Sequence, residues 1–405
     1  MLETGSTGFM LLATSLVMLM TPGLAFFYGG LATKRNILGI MIQSFVSLGW
    51  TTVLWVIFGY SLCFSGGEGG IFGNLNKAFL MGVGMDSMYS NGKIPEFVFI
   101  AYQMMFAIIT PALITGAFAN RVTFKSYMIF LTFWQILVYY PFVHMIWGGG
   151  LLAQWGVLDF AGGIVVHATA GFAALASVFY VGARVDKNST PNSIPLVAIG
   201  SGLLWFGWYG FNAGSEVCVD NITSLAFLNT DIAASFATMS WLVIEWSRER
   251  KPKLVGLLTG GIAGLATITP CAGFVPLWAS PIIGTAAGLI CYWAVQFKNK
   301  MKWDDALDVW GVHGIGGVFG TIMLGVFASK AVNSAGADGL WFGNASFFGK
   351  EIVAVAVASI YGFIFTYIML IIINYITPVR VSESEEVLGL DHSIHGEKAY
   401  DEGAL

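Results

Sequence analysis

Long apolar runs separated by short polar or basic breaks fill the chain. They lie at about 9–33, 37–62, 96–118, 126–143, 159–182, 194–216, 222–246, 254–270, 278–297, 308–329 and 348–377. Most approach or exceed the roughly 20 residues that an α-helix needs to cross ~30 Å of hydrocarbon. The run 126–143 is short for that task, and 348–377 is long enough to tilt. The pattern predicts an all-α membrane protein with 11 transmembrane helices, spanning residues 1–377 and followed by a polar tail, 378–405.

Composition agrees with that reading. Of 405 residues, 56% are hydrophobic and only 10% are charged, against about 25% charged in an ordinary soluble domain. So few charges cannot cover that much apolar surface in water. A net charge of −4 also removes the nucleic-acid-binding class, which needs a basic face. The basic residues then fix a topology. With the N-terminus outside and every run crossing, the alternate loops and the tail hold Lys34, Arg35, Arg121, Lys125, Arg184, Lys187, Arg248, Arg250, Lys251, Lys253, Lys298, Lys300, Lys302, Arg380 and Lys398. That is 15 of the 19 basic residues; the other side holds Lys77, Lys93, Lys330 and Lys350. Cytoplasmic loops carry the excess of Lys and Arg, which predicts N-out and C-in. The first basic residue is Lys34, so no signal peptide is expected within the chain.

An odd count of spans suggests inverted repeats of five helices plus an extra C-terminal helix, a common transporter plan. A faint echo supports it. The fifth run opens Asp159-Phe-Ala-Gly-Gly-Ile-Val-Val-His167, and the tenth opens Asp308-Val-Trp-Gly-Val-His313. Gly260/Gly264, Gly284/Gly288 and Gly316/Gly320 have the spacing that lets helices approach closely. Cys63, Cys218, Cys271 and Cys291 form no CxxC or metal-spaced cluster. They read as small buried residues, with a Cys218–Cys271 disulfide left open.

Few residues inside the runs can carry chemistry. His167 and His313 approach mid-membrane from opposite sides, where a polar residue is a functional candidate by default. An interhelical hydrogen bond is the plainer role for the pair; another is to relay a proton or bind a small polar molecule. His144 falls at an outer helix end. Asp159 and Asp308 sit where an acid satisfies the orphan N–H groups of a helix start, and Asp159 also suits a field that draws cations to the outer mouth. Phe106, Trp147, Trp205, Trp208, Tyr209 and Phe211 gather near outer helix ends, as an interfacial belt or as cation–π partners at a pore mouth.

These residues sit in long motifs that resemble the ammonium transporter family (Amt/Mep/Rh). They are Pro22-Gly-Leu-Ala-Phe-Phe-Tyr-Gly-Gly30, Trp147-Gly-Gly-Gly-Leu-Leu, the Asp159–His167 run, Trp208-Tyr-Gly-Phe211-Asn-Ala-Gly-Ser215, Asp308-Val-Trp-Gly-Val-His313-Gly and the tail Gly389-Leu-Asp391-His-Ser-Ile-His395-Gly-Glu-Lys-Ala-Tyr400. The resemblance runs from about Gly8 to Tyr400. It implies a homotrimer with a pore through each subunit. Trp147, Phe106 and Ser215 would form an outer ammonium site supported by Asp159. Phe106 and Phe211 would form a gate, and His167, His313 and Trp208 would line the pore. Tyr102 and Trp310 stand where many relatives carry Phe. A PII-type signal protein is the implied cytoplasmic partner, and the inner (plasma) membrane of a prokaryote the implied location.

The expected function is therefore transport of ammonium or ammonia, with no cofactor or metal. No nucleophile–base pair or cofactor fingerprint marks an enzyme. The alternatives are an ammonium sensor that signals through a cytoplasmic partner, since the tail is too short for a signalling domain of its own, and a channel for carbon dioxide.

Overall fold

The computed structural model describes residues 2–89, 92–186 and 190–400. Lys187, one of the basic residues used for the topology, lies outside them. The helices follow the apolar runs: α1 Thr4–Leu31, α2 Ile37–Phe64, α3 Glu96–Ile114, α4 Phe124–Trp155, α5 Gly163–Val181, α6 Ile194–Glu216, α7 Asn221–Glu249, α8 Leu254–Ile268, α9 Ala279–Lys300, α10 Trp310–Phe327 and α11 Ala345–Ile376. Among the described residues, ten are long and apolar enough to cross a membrane; the exception is α8. The run expected to reach residue 270 stops at Ile268, just before Pro270, which has no N–H to extend the helical hydrogen-bond ladder. Fifteen residues at 1.5 Å each give α8 a length of ~22 Å.

The short run at 126–143 is corrected in the other direction. The helical path of α4 covers 32 residues and continues through His144. That histidine is buried and, as expected, lies in the last turn before the helix breaks at Gly148. Its Nδ1 and Nε2 lie 2.9 Å from the carbonyls of Cys63 and Gly67, and a neutral ring donates to one of the two. All four cysteines are free and buried, which removes the Cys218–Cys271 disulfide. Cys271 points at the Gly320 carbonyl, while Cys218 sits beside Lys93.

Glycines set the closest helix approaches. A Cβ on Gly200 of α6 would overlap the α1 backbone at Phe27, and one on Gly284 of α9 would overlap the α7 backbone at Ala233. Gly264 of α8 faces Ala233 and Ala237 of α7 just as tightly. Backbone contact of this kind replaces the hydrophobic drive that is missing between helices in lipid.

The basic loops meet at one end of the bundle. Arg184 is 2.6 Å from Asp304, Arg35 is 3.3 Å from Asp186, and Arg380 is 2.9 Å from Glu386 in the tail. Two short tail helices, α12 Glu383–Leu388 and α13 Leu390–Ser393, lie across this end. There Asp391 accepts the Gly39 N–H at the start of α2. A two-stranded hairpin, β1 Met88–Tyr89 with β2 Ile94–Pro95, precedes α3.

Candidate functional site

Two helix starts position the histidines. Both α5 and α10 begin with a π-helical turn, Gly163–Ala168 and Trp310–Gly314, and the histidine lies inside it. Such turns are frequent at functional sites. The Asp159 carboxylate closes the first. It accepts N–H groups from Gly162 and Gly163 at 2.7 Å, Ile164 at 2.8 Å and Val165 at 3.0 Å. Both oxygens are therefore occupied by backbone, which is the structural role of an acid at a helix start.

The matching acid on α10 is Asp305, not Asp308. Asp305 accepts the Trp310 N–H at 2.8 Å, and it stands eight residues before His313, as Asp159 stands eight before His167. The sequence echo is thus real in kind but misregistered by three residues. The repeated eight-residue spacing was the signal that would have found it. Asp308 instead turns towards the Lys298 ammonium, at 2.5 Å, with a left-handed backbone φ of 61°. Trp310 meets Trp303 edge to face at 5.4 Å on the same side.

Missing side chains let the two histidines meet. A Cβ on Gly171 of α5 would overlap Gly314 of α10, and a Cβ on Gly317 would press on His167. The helices cross there in backbone contact. His167 Nδ1 lies 3.3 Å from His313 Nδ1, with the rings 5.2 Å apart and nearly parallel. A hydrogen bond between two Nδ1 atoms needs one donor and one acceptor, so only one ring carries its proton there.

The aromatic residues continue this line. Trp208 stacks on His167 at 5.5 Å and is held by Nε1 donating to Thr269 Oγ1 at 2.9 Å. Phe211 stacks on His167 at 6.2 Å and on Phe106 at 4.1 Å. Trp147 meets the edge of Phe106 at 5.9 Å and 89°. Phe106 and Phe211 are each 1% exposed, so the stacked pair closes the path. A cavity of about 330 Å³ opens above it, lined by Phe106, Trp147, Asp159, Ser215, Gln103 and Glu216. Below it, about 20 Å³ remains between Leu24, Tyr28, Trp208, Phe211 and the histidines, roughly the space of one water-sized molecule. Beyond His313 a second mouth of about 140 Å³ is lined by Tyr28, Thr259 and Asp308.

Trp147, Phe106 and Ser215 are therefore neighbours around one vestibule. Trp147 is oriented by Nε1 donating to the Asp159 carbonyl at 2.7 Å. The Ser215 hydroxyl donates to the Phe211 carbonyl at 2.8 Å, which leaves its oxygen free to accept. Tyr102 is buried behind the wall, and its hydroxyl lies 2.8 Å from the Phe211 carbonyl and 3.3 Å from Ser215 Oγ. Gln103, Glu216, Tyr28 and Leu204 also line the path, without a sequence pattern that singled them out. Glu216, Cys218 and Asp220 bring ligand atoms within 4.8 Å of one another. Lys93 already donates to Cys218 Sγ at 3.3 Å, so a lysine ammonium serves that cluster.

Known proteins carry this architecture. Residues 8–400 match the model of the Ammonium Transporter Family. The chain is 46% identical to an ammonium transporter of Bacillus subtilis, covering 98% of this chain and 99% of that protein. It is 43% identical to the ammonium transporter Amt1 of Archaeoglobus fulgidus over 98% and 100%. The crystal structure of Mep2 from Saccharomyces cerevisiae superposes with a TM-score of 0.91 at 33% identity, covering 100% of this chain and 93% of that one. A structure described as a sensor Amt protein gives a TM-score of 0.87 at 28% identity, covering 96% and 97%.

Proposed function

We propose, from the premise that the chain belongs to the Ammonium Transporter Family, that it recruits ammonium at the aromatic vestibule and passes ammonia along the histidine pair. The observation that carries this reading is the unbroken column Trp147, Phe106, Phe211, His167, His313. A charged ion crossing an apolar passage without its water is far more costly than a neutral molecule. At the vestibule, the faces of Trp147 and Phe106 offset part of the lost hydration, ~2 kcal/mol each for a desolvated cation. Ser215 accepts an N–H. Asp159 supports the site by fixing Trp147 and the start of α5. Deprotonation near the Phe106–Phe211 gate leaves a neutral molecule that fits the small chamber above His167, while the proton crosses separately or returns to the outer side. Potassium has no proton to lose, which supplies selectivity.

The same reading places residues 1–377 in the membrane as 11 spans, N-out and C-in, as inverted five-helix repeats plus α11, with 378–405 as a cytoplasmic tail. α8 then crosses as a short span surrounded by protein. A homotrimer in the plasma membrane of a prokaryote, with a PII-type protein docking on the basic loops and tail, completes the proposal. The relatives are named as transporters, so the reading is of transport rather than catalysis. Sensing is the second reading, favoured by the likeness to the sensor Amt structure.

Purified protein in liposomes on a solid support tests both. Labelled methylammonium should accumulate, and ammonium pulses decide the proton's fate: a current shows that it crosses, and no current that it returns. Replacing His167 and His313 together by apolar residues should abolish selective transport. Unchanged rate and selectivity in that double variant would remove the histidine path, and binding without any transport by the native chain would favour the sensor.

A further inference from the structure

Glu351 is an acid placed seven residues into α11, directly after Lys350 and before a long apolar stretch, and its side chain is fully buried. An ionisable group there is costly and a functional candidate by default. Its Oε1 accepts the Leu158 N–H at 2.7 Å, and its Oε2 has no hydrogen-bond partner among the described residues. The contact joins α11 to a segment far away in sequence. That segment, residues 157–160, holds the vestibule wall. Val157, Leu158, Asp159 and Phe160 all line it. Leu158 is followed by the residue whose carbonyl orients Trp147 and whose carboxylate caps α5.

We propose that Glu351 is a positioning residue for the outer ammonium site. Its carboxylate pins the Leu158 backbone, and the pinned turn sets where the Asp159 carbonyl holds the Trp147 indole. The cation–π geometry above Phe106 follows from that anchor. The inference rests on the outer-site reading of Trp147 given above. It needs an acceptor at this position, not a charge, because the partner is a neutral backbone N–H. Without the acceptor that buried N–H is unsatisfied, and the turn must move to find another partner.

The test compares Glu351→Met, similar in length and without a good acceptor, with Glu351→Gln, which keeps a carbonyl oxygen. Each is assayed in liposomes for methylammonium transport, together with Trp147→Leu. E351M should raise the half-saturating concentration ~10-fold, the scale of one lost buried hydrogen bond, and leave the maximal rate within about twofold. E351Q should restore the native value to within about twofold. An unchanged half-saturating concentration in E351M overturns the proposal, as does a fall in maximal rate alone, or an E351Q variant as impaired as E351M. If E351M does not reach the membrane, Glu351→Asp decides. The carboxylate, withdrawn by one methylene, should raise the half-saturating concentration, and an unchanged value overturns the proposal. A native value in W147L would instead sink the outer-site reading, so the two failures are told apart.

Discussion

The two histidine-bearing segments begin alike and are stabilised differently. Each has an acid eight residues before its histidine, and each starts with a π-helical turn. Asp159 receives four backbone N–H groups and, among the described residues, no cation. Asp305 receives the Trp310 N–H, while its Oδ1 has no hydrogen-bond partner among the described residues. Lys298 donates to the Asp305 carbonyl at 2.8 Å and pairs with Asp308 beside it. A buried carboxylate needs compensation, either from a counter-charge or from several N–H dipoles. On the vestibule side a resident lysine beside Trp147 would repel the cation to be bound. Dipoles stabilise the acid there without placing a full positive charge at the site. On the other side the passing molecule is neutral in our reading, and an ammonium group is tolerated.

Removing the acids should therefore be unequal, and this is the largest effect expected. Asp159→Ala orphans four N–H groups, each costing about 1–3 kcal/mol when buried without a partner. Transport per inserted protein should fall more than ~100-fold, and the detergent-solubilised protein should melt well below the native form. Asp305→Ala orphans fewer groups and should retain measurable methylammonium uptake. Equal losses in the two variants would break the comparison. Asp159→Asn keeps one carbonyl acceptor, and its uptake should fall between that of the native chain and D159A.

Next in size is the crossing that joins the two segments. Gly171→Ala places a methyl group against Gly314, where the backbones already touch. Overpacking of this kind costs about 1–3 kcal/mol. Part of that strain should be relieved by moving His167 from His313, so uptake should drop ~10-fold. Gly202→Ala is the matched control. Its new methyl meets nothing within 4 Å, and melting should be unchanged or slightly raised. If G171A transports like G202A, backbone contact at the crossing is not what sets the histidine pair.

Much of this was legible in the sequence, and the failures have physical causes. Apolar length located the helices because a span must satisfy its own backbone within one continuous segment. The same rule ended the run 126–143 a few residues early: His144 lies in the last turn of a helix that runs on to Trp147, and its ring meets carbonyls of Cys63 and Gly67 from a distant part of the chain. His167 and His313 stood out as polar residues at depth, but their contact depends on Gly171 and Gly314, whose pairing across two helices no local pattern reveals. Asp308 was named because the tenth run opens on it, and Asp305 lies just outside that run. A π-helical turn inserts an extra residue and hides the register from a 3.6-residue period. Glu351 was passed over because nothing local marks it; its partner Leu158 lies 193 positions away.

The smallest effect belongs to the far end of the bundle, where the charges that mark topology also hold the loops together. Asp304 receives Arg184 from one loop and lies 3.6 Å from Arg121 of another. Arg121 is fully enclosed; burial draws it down to about 10, with Asp304 opposing, so it stays protonated at neutral pH. Burial alone would raise the Asp304 carboxyl, but the Arg184 hydrogen bond and the Arg121 charge outweigh it and hold the group down at about 2. An unfolded aspartate titrates near ~3.9. The folded state therefore prefers the charged form, and the stabilisation is complete above that value. It is lost as pH falls from ~4 through about 2, where both states become protonated. Part of the interaction is screened by solvent, so Asp304→Asn should lower the neutral-pH melting temperature by only ~2–4 °C. The gap between the two proteins should narrow as the buffer is taken from pH 5 towards pH 3. A gap that stays constant over that range would show that Asp304 acts through shape rather than charge. Transport measured at neutral pH should change least of all, because this group lies at the far end of the bundle from the vestibule that Trp147 and Asp159 line.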